Sequence, residues 1–137
     1  MTYKKADEVL QTQITQEVAD RAAAIANCGT KNLPQNSQST NYTTVLTDSG
    51  KHIFHPAADT TARTFTIPAN SALAYDIGTA ITFVNQNGAG TITINNNDTM
   101  RLAGAGTTGS RSLTANGVAT ALKITTTEWL ISGTNLT

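Results

Sequence analysis

Apolar residues fall along this chain in two different rhythms, and the change comes near Gly29. Upstream, Leu10, Ile14, Val18, Ala22 and Ile25 are spaced 4-4-4-3, which draws one stripe down a helix, with Ala6 and Val9 beside it. The residues from Lys4 to Asn27 are strong helix formers. Asp7 and Glu8 suit the positive end of such a helix, and Asn27-Cys28-Gly29 offers a left-handed stop. A helix over that span is about 36 Å long. From Ile14 to Ile25 runs one eleven-residue period, nearer to about 3.67 than to about 3.5 residues per turn, which favours a straight or slightly right-handed bundle over a left-handed zipper. The stripe wants a partner. Most amphipathic helices find it in their own domain; the alternative is self-association or docking on a larger assembly, and the long polar segment that follows favours the alternative.

That segment, 29–44, is nearly all polar and predicts an extended linker. Beyond it, short β-prone runs recur at 44–46, 51–54, 63–67, 80–84, 91–94, 99–102, 112–113, 118–124 and 128–131. In Thr64-Phe65-Thr66-Ile67 and Thr91-Ile92-Thr93-Ile94 the alternation sends Thr to one face and Phe65, Ile67, Ile92 and Ile94 to the other. Those four are predicted core, with Phe83, Leu122, Ile124 and Trp129. Turn chemistry separates the runs, and Asn87-Gly88 and Asn116-Gly117 are hairpin signals. The predicted fold is mainly β: a C-terminal antiparallel β-sandwich or jelly roll over 45–137, preceded by an N-terminal α-helix over 1–28 and the linker.

Composition narrows what such a chain can do. Only 5% of the 137 residues are aromatic, so one copy buries little area and association would help stabilise it. Nine basic residues balance nine acidic ones, and no basic run interleaved with aromatics appears, which argues against a nucleic-acid partner. A single cysteine, Cys28, excludes an intrachain disulfide, and no Cys/His set of zinc spacing accompanies it. The N-terminus lacks the apolar core of a secretory signal, and no apolar run approaches the ~20 residues of a membrane helix. These features together predict synthesis in a reducing cytoplasm and no membrane insertion.

Candidate chemistry is sparse. Gly104-Ala105-Gly106-Thr107-Thr108-Gly109 fits the dinucleotide pattern, but Ser110 to Gly117 runs into turn signals where the pattern needs a helix, so a flexible loop is expected. His52 and His55 lie three apart in a strand, on opposite faces, which disfavours joint metal ligation. Asp48, Asp59, Asp76 and Asp98 occupy turn positions where Asp is ordinary, and Glu128 beside Trp129 reads as outward-facing. Cys28, at a helix end without an evident cation, reads as an inert thiol. No catalytic, cofactor-binding or metal residue is assigned, and no enzyme activity is expected. The candidate functional residues are the oligomerisation or docking stripe, Leu10, Ile14, Val18, Ala22 and Ile25.

Several segments recur together in a known context. These are Phe65-Thr66-Ile67-Pro68-Ala69-Asn70-Ser71, Ile77-Gly78-Thr79-Ala80-Ile81-Thr82-Phe83-Val84-Asn85-Gln86, Gly90-Thr91-Ile92-Thr93-Ile94, Ala119-Thr120-Ala121-Leu122-Lys123 and Trp129-Leu130-Ile131-Ser132-Gly133. In that order they resemble a module at the C-termini of bacteriophage fibre and virion-surface proteins, and the stretch Glu17 to Ala26 is similar to the Ala/Glu/Arg segments of tail-fibre shafts. The resemblance implies a homotrimer on the virion surface, whose partners are other copies and a major capsid or other virion protein, with host-surface glycan as a candidate ligand. Because the sequence opens on Met1 without a tail-attachment domain before the helix, a head fibre or capsid decoration protein is expected in preference to a long tail fibre. A short tail fibre or tail-tip receptor-binding protein remains an alternative. So does a carbohydrate-binding or carbohydrate-active module, though few stacking rings and no paired carboxylates support it.

Overall fold

The computed structural model describes residues 2–28 and 32–137, with side chains described from Lys5 to Ile25 and from Asn32 onward. The chain divides into two compact units, Met1–Asn32 and Leu33–Thr137. Among its described residues the first holds one helix, α1 (Thr2–Cys28), free of glycine and proline. The hydroxyls of Thr12 and Thr15 donate to the carbonyls of Glu8 and Gln11, both at 2.9 Å, so these β-branched residues are accommodated without leaving a polar group idle. Gln16 to Asp20 and Arg21 to Glu17 add side-chain pairs four residues apart, at 2.9 and 2.6 Å, each worth about 0.2–0.5 kcal/mol.

The second unit is a single nine-stranded mixed sheet that curls on itself. Its strands are β1 (Gln35–Ser37), β2 (Tyr42–Thr43), β3 (His52–His55), β4 (Arg63–Ile67), β5 (Ala80–Asn85), β6 (Ile92–Asn96), β7 (Thr99–Leu102), β8 (Arg111–Lys123) and β9 (Glu128–Leu136). β1, β3 and β5 run parallel side by side, and so do β2, β4 and β6. Consecutive strands therefore alternate between two arms, and each sheet neighbour within an arm is two strands away in sequence. β8 joins the arms. Val118–Leu122 pairs antiparallel with β5, and Arg111–Leu113 pairs antiparallel with β6. β9 lies antiparallel along β8, and β7 parallel to β9.

Alternation along each strand turns one set of side chains into the curl. Ile53, Phe65, Ile67, Ile81, Phe83, Ile92, Ile94, Leu113, Trp129 and Ile131 are buried there. Register stacks them in rungs: Ile53 beside Phe83, Phe83 beside Ala119, Ala119 beside Gly133 in one arm, and Tyr42, Phe65 and Ile94 in the other. Phe65 and Phe83, 6.3 Å apart between ring centres, bring the two arms together.

Five expectations are corrected. The antiparallel sandwich is a mixed sheet, with parallel pairs in both arms, because β1 to β6 cross in turn between arms instead of turning back in hairpins. The 29–44 linker holds two strands: β1 and β2 pair with β3 and β4, Asn36 is fixed by side-chain hydrogen bonds, and Tyr42 packs edge-to-face on Phe65 while its hydroxyl is bonded to the same polar group. Residues 29–31 lie outside the described residues. The 44–46 run is not a strand; Leu46–Asp48 is a 3-10 turn. Asn116-Gly117 is no hairpin but the irregularity inside β8, where the β9 register jumps between Leu113 and Val118 and Asn116 takes a φ of 65°. The core residues Phe65, Ile67, Phe83, Ile92, Ile94 and Trp129 are buried as predicted, whereas Leu122 and Ile124 are exposed; on β8 it is Ala119, Ala121 and Lys123 that turn inward.

Close approach of backbone yields a test of this packing. A Cβ at Gly90 would stand 2.4 Å from the Thr61 carbonyl oxygen, a main-chain atom with no easy retreat. Gly90→Ala is expected to destabilise the β unit by about 1–3 kcal/mol, read as a lower urea midpoint at unchanged slope.

Candidate functional site

On α1 the stripe lies in the open. Leu10, Ile14, Val18 and Ile25 are 49–72% exposed and Ala22 is exposed too. The five residues share an arc, and so does Arg21, which follows Leu10 by eleven positions, close to a whole number of turns. Its guanidinium is held by Glu17 on the same helix at 2.6 Å. The uninterrupted apolar stretch is thus Leu10–Ile14–Val18, with Ile25 beyond the charge.

The β unit holds its polar chemistry inside. His55, at the end of β3, is fully buried. Its Nδ1 lies 2.9 Å from Asn85 Oδ1 and its Nε2 2.8 Å from Asp59 Oδ2. The amide of Asn85 is oriented by its own Nδ2, which donates to the carbonyls of Gly90 and Leu113 at 2.9 and 3.0 Å, so its oxygen faces the ring. Asp59 accepts further from Arg63 Nε at 2.7 Å, Arg63 Nη2 at 3.2 Å and the Thr61 N–H at 3.2 Å. The hydrogen bonds of Arg63, then of His55, hold the Asp59 carboxyl well below the usual carboxylate range, and the same carboxylate raises Arg63. A His–Asp contact suggests half of a catalytic triad, but the ring is fully buried and both its nitrogens lie against groups of the protein itself, so neither reaches a molecule bound at the surface. What the chain of groups does is tie β3, β4, β5 and β8 together at one end of the curl.

A second cluster fastens the short edge strands. Asp48, 1% exposed, accepts from the Tyr42 hydroxyl at 2.6 Å, Asn36 Nδ2 at 2.9 Å and the Val45 N–H at 2.9 Å. Burial, then the bond to Asp48, pushes the Tyr42 phenol up to about 12. A third surrounds Lys123, 2% exposed, whose Nζ donates to Asn70 Oδ1 at 2.7 Å and to the Tyr75 carbonyl at 2.8 Å.

The other sequence candidates are accounted for. His52 and His55 do point to opposite faces: His52 is half-buried, with Nδ1 3.0 Å from the Leu33 carbonyl and Nε2 3.2 Å from Gln35 Nε2. Among the described residues no group of three or more His, Cys, Asp or Glu is placed to hold a metal. The Gly104–Gly109 loop leads into strand β8, with the Arg101 guanidinium bonded to the Gly106 carbonyl at 2.7 Å. Glu128 is partly buried and pairs with Arg101 at 2.6 Å. The Cys28 side chain lies outside the described residues. Among the described residues no helix is long and apolar enough to cross a membrane. Asp48, Asp59 and Lys123 escaped the sequence reading because turn Asp residues and a strand Lys have ordinary solvent-facing explanations. The four-residue spacings of His55, Asp59 and Arg63 suggest a helix, while here they are bridged by a turn between strands.

Comparison with protein-family models, with curated proteins and with solved structures finds no match.

The depressed Asp59 fixes the sign of a pH response. A carboxylate whose folded-state pKa lies below its unfolded value stabilises the fold above about pH 4 and loses that contribution as the pH falls through the folded value. Denaturation midpoints of the wild type are expected to drop on acidification below about pH 4, and Asp59→Asn to be less stable at neutral pH with a shallower acid dependence.

Proposed function

We propose that the chain is a non-enzymatic structural protein of a bacteriophage virion, a homotrimeric head fibre or capsid decoration protein. Its N-terminal region anchors it, and its β domain projects outward with host-surface glycan as a candidate ligand. The observation that carries this reading is the exposed stripe Leu10, Ile14, Val18 and Ile25 on a helix that forms its own compact unit. Fully burying one such side chain is worth roughly 1.5–3 kcal/mol, so three of them per helix supply enough to hold an assembly together. The β unit supports the passive part of the role: buried His55 and partly buried Asp59 and Arg63 are bonded to one another, and its outer surface is rich in Thr and Asn. Attachment through several copies multiplies weak single contacts by effective concentration, with no reacting group required.

Sedimentation equilibrium on the intact chain is expected to return the mass of three copies. Leu10→Asp with Ile14→Asp is expected to reduce it to one copy or to abolish capsid attachment, while circular dichroism of the β unit stays unchanged. Immunogold electron microscopy on the parent phage locates the protein. Label over the head supports the proposal; label at the tail end replaces it with a short tail fibre or tail-tip protein; absence of label together with glycan-array binding or reducing-sugar release replaces it with a carbohydrate module.

A further inference from the structure

We propose that Lys123 and Asn70 are the two ends of an intramolecular isopeptide bond, which the folded β unit forms by itself. Lys123 is the one inward-facing residue of the β8 row Ala119, Ala121, Lys123 that carries an amine, and it is 2% exposed. Its Nζ lies 2.7 Å from Asn70 Oδ1, against the side-chain carbonyl whose carbon would be attacked. The other contact, the Tyr75 carbonyl at 2.8 Å, is also neutral. Among the described residues Lys123 takes part in no ion pair. Its cross-strand neighbour is Trp129, packed edge-to-face with Tyr75 at 5.5 Å. An ammonium so placed has lost its water and gained no counter-charge, an arrangement that costs free energy. An amide at the same position would carry no charge and keep an acceptor and a donor.

Both ends are held for the encounter. The Asn70 N–H donates to Asp98 Oδ2 at 2.6 Å, and the Lys123 main chain is paired at N with the Thr79 carbonyl and at O with the Gly78 N–H, at 2.9 and 2.8 Å. Fixing a nucleophile against a carbonyl removes most of the entropic barrier to a reaction that is slow between free side chains. The step balances without any co-reactant. A bond forms between Lys123 Nζ and Asn70 Cγ, and the Cγ–Nδ2 bond breaks. Asn70 Nδ2 then leaves with its two hydrogens and two protons from the lysine ammonium, so an ammonium ion is released and the amide keeps one hydrogen. Asn70 is only partly buried, which gives the leaving group a way out. The bond would join residues 53 apart and clip the segment after β4 to the end of β8.

Intact-mass spectrometry of the purified full-length chain tests this. The expected mass is lower than the sequence mass by one ammonia. Proteolysis should yield a branched peptide containing Asn70 and Lys123, with trypsin failing to cut after Lys123. Asn70→Ala and Lys123→Arg should each return to full mass. A wild-type chain at full sequence mass overturns the proposal without reference to any variant. Ammonia is also lost when an Asn-Gly pair closes to a succinimide, so a loss that fragment spectra place at Asn87 or Asn116 overturns it equally.

Discussion

The β unit depends on one strand reaching two places. β5 and β6 follow each other in the chain but belong to different arms, and only β8, thirteen residues long, hydrogen-bonds to both. Without that bridge the arms β1-β3-β5 and β2-β4-β6 would be two small parallel stacks facing each other through side chains alone. A straight strand cannot serve two arms of a curl. The bend is made at 114–117, where Asn116 accepts a left-handed φ and Gly117 leaves room that a Cβ would take from Leu113, 2.5 Å away. Here a local irregularity is what the global topology requires.

The polar groups follow from the same geometry. Crossing from arm to arm means that loops pass over the end of the curl, and their carbonyls would go unpaired if apolar residues lined that end. Asn85 answers one of them, at Gly90, together with the Leu113 carbonyl where β8 bends, and His55 and Asp59 continue the network to Arg63 near the surface. Such a network is stabilising only when complete, and every member named here has its partners.

The sequence carried much of the strand content but little of the pairing. Seven strands, β3 to β9, begin within a residue of their predicted starts, although β8 is predicted as two runs, since period-two alternation and turn residues are local signals. Pairing order is not local, and an arm-crossing topology presents the same alternation as a meander of hairpins. β8 shows the failure in detail. After the bend its larger apolar residues, Val118 and Leu122, and Ile124 just past its end share one phase, so hydrophobicity favours the wrong face; Phe83, Trp129 and Ile131 already fill the space opposite, leaving room on the inner face for Ala119 and Ala121. β1 and β2 were illegible for another reason: their stability comes from Asn36, Tyr42 and Asp48 bonding across three segments, which polarity alone cannot announce. On α1 the stripe is legible from spacing alone, whereas the intrusion of Arg21 into it is masked by Ala22, which continues the four-residue spacing from Val18.

The brevity of β1 and β2 has a consequence for behaviour in bulk. They form the two ends of the main strand path and are only three and two residues long, so each offers a foreign strand almost no ladder to extend. Much of their small hydrogen-bonding capacity lies beside side chains already committed to Asp48. At these two edges copies can stand close together at high local concentration and find almost no ladder on which to zip edge to edge into insoluble fibrils.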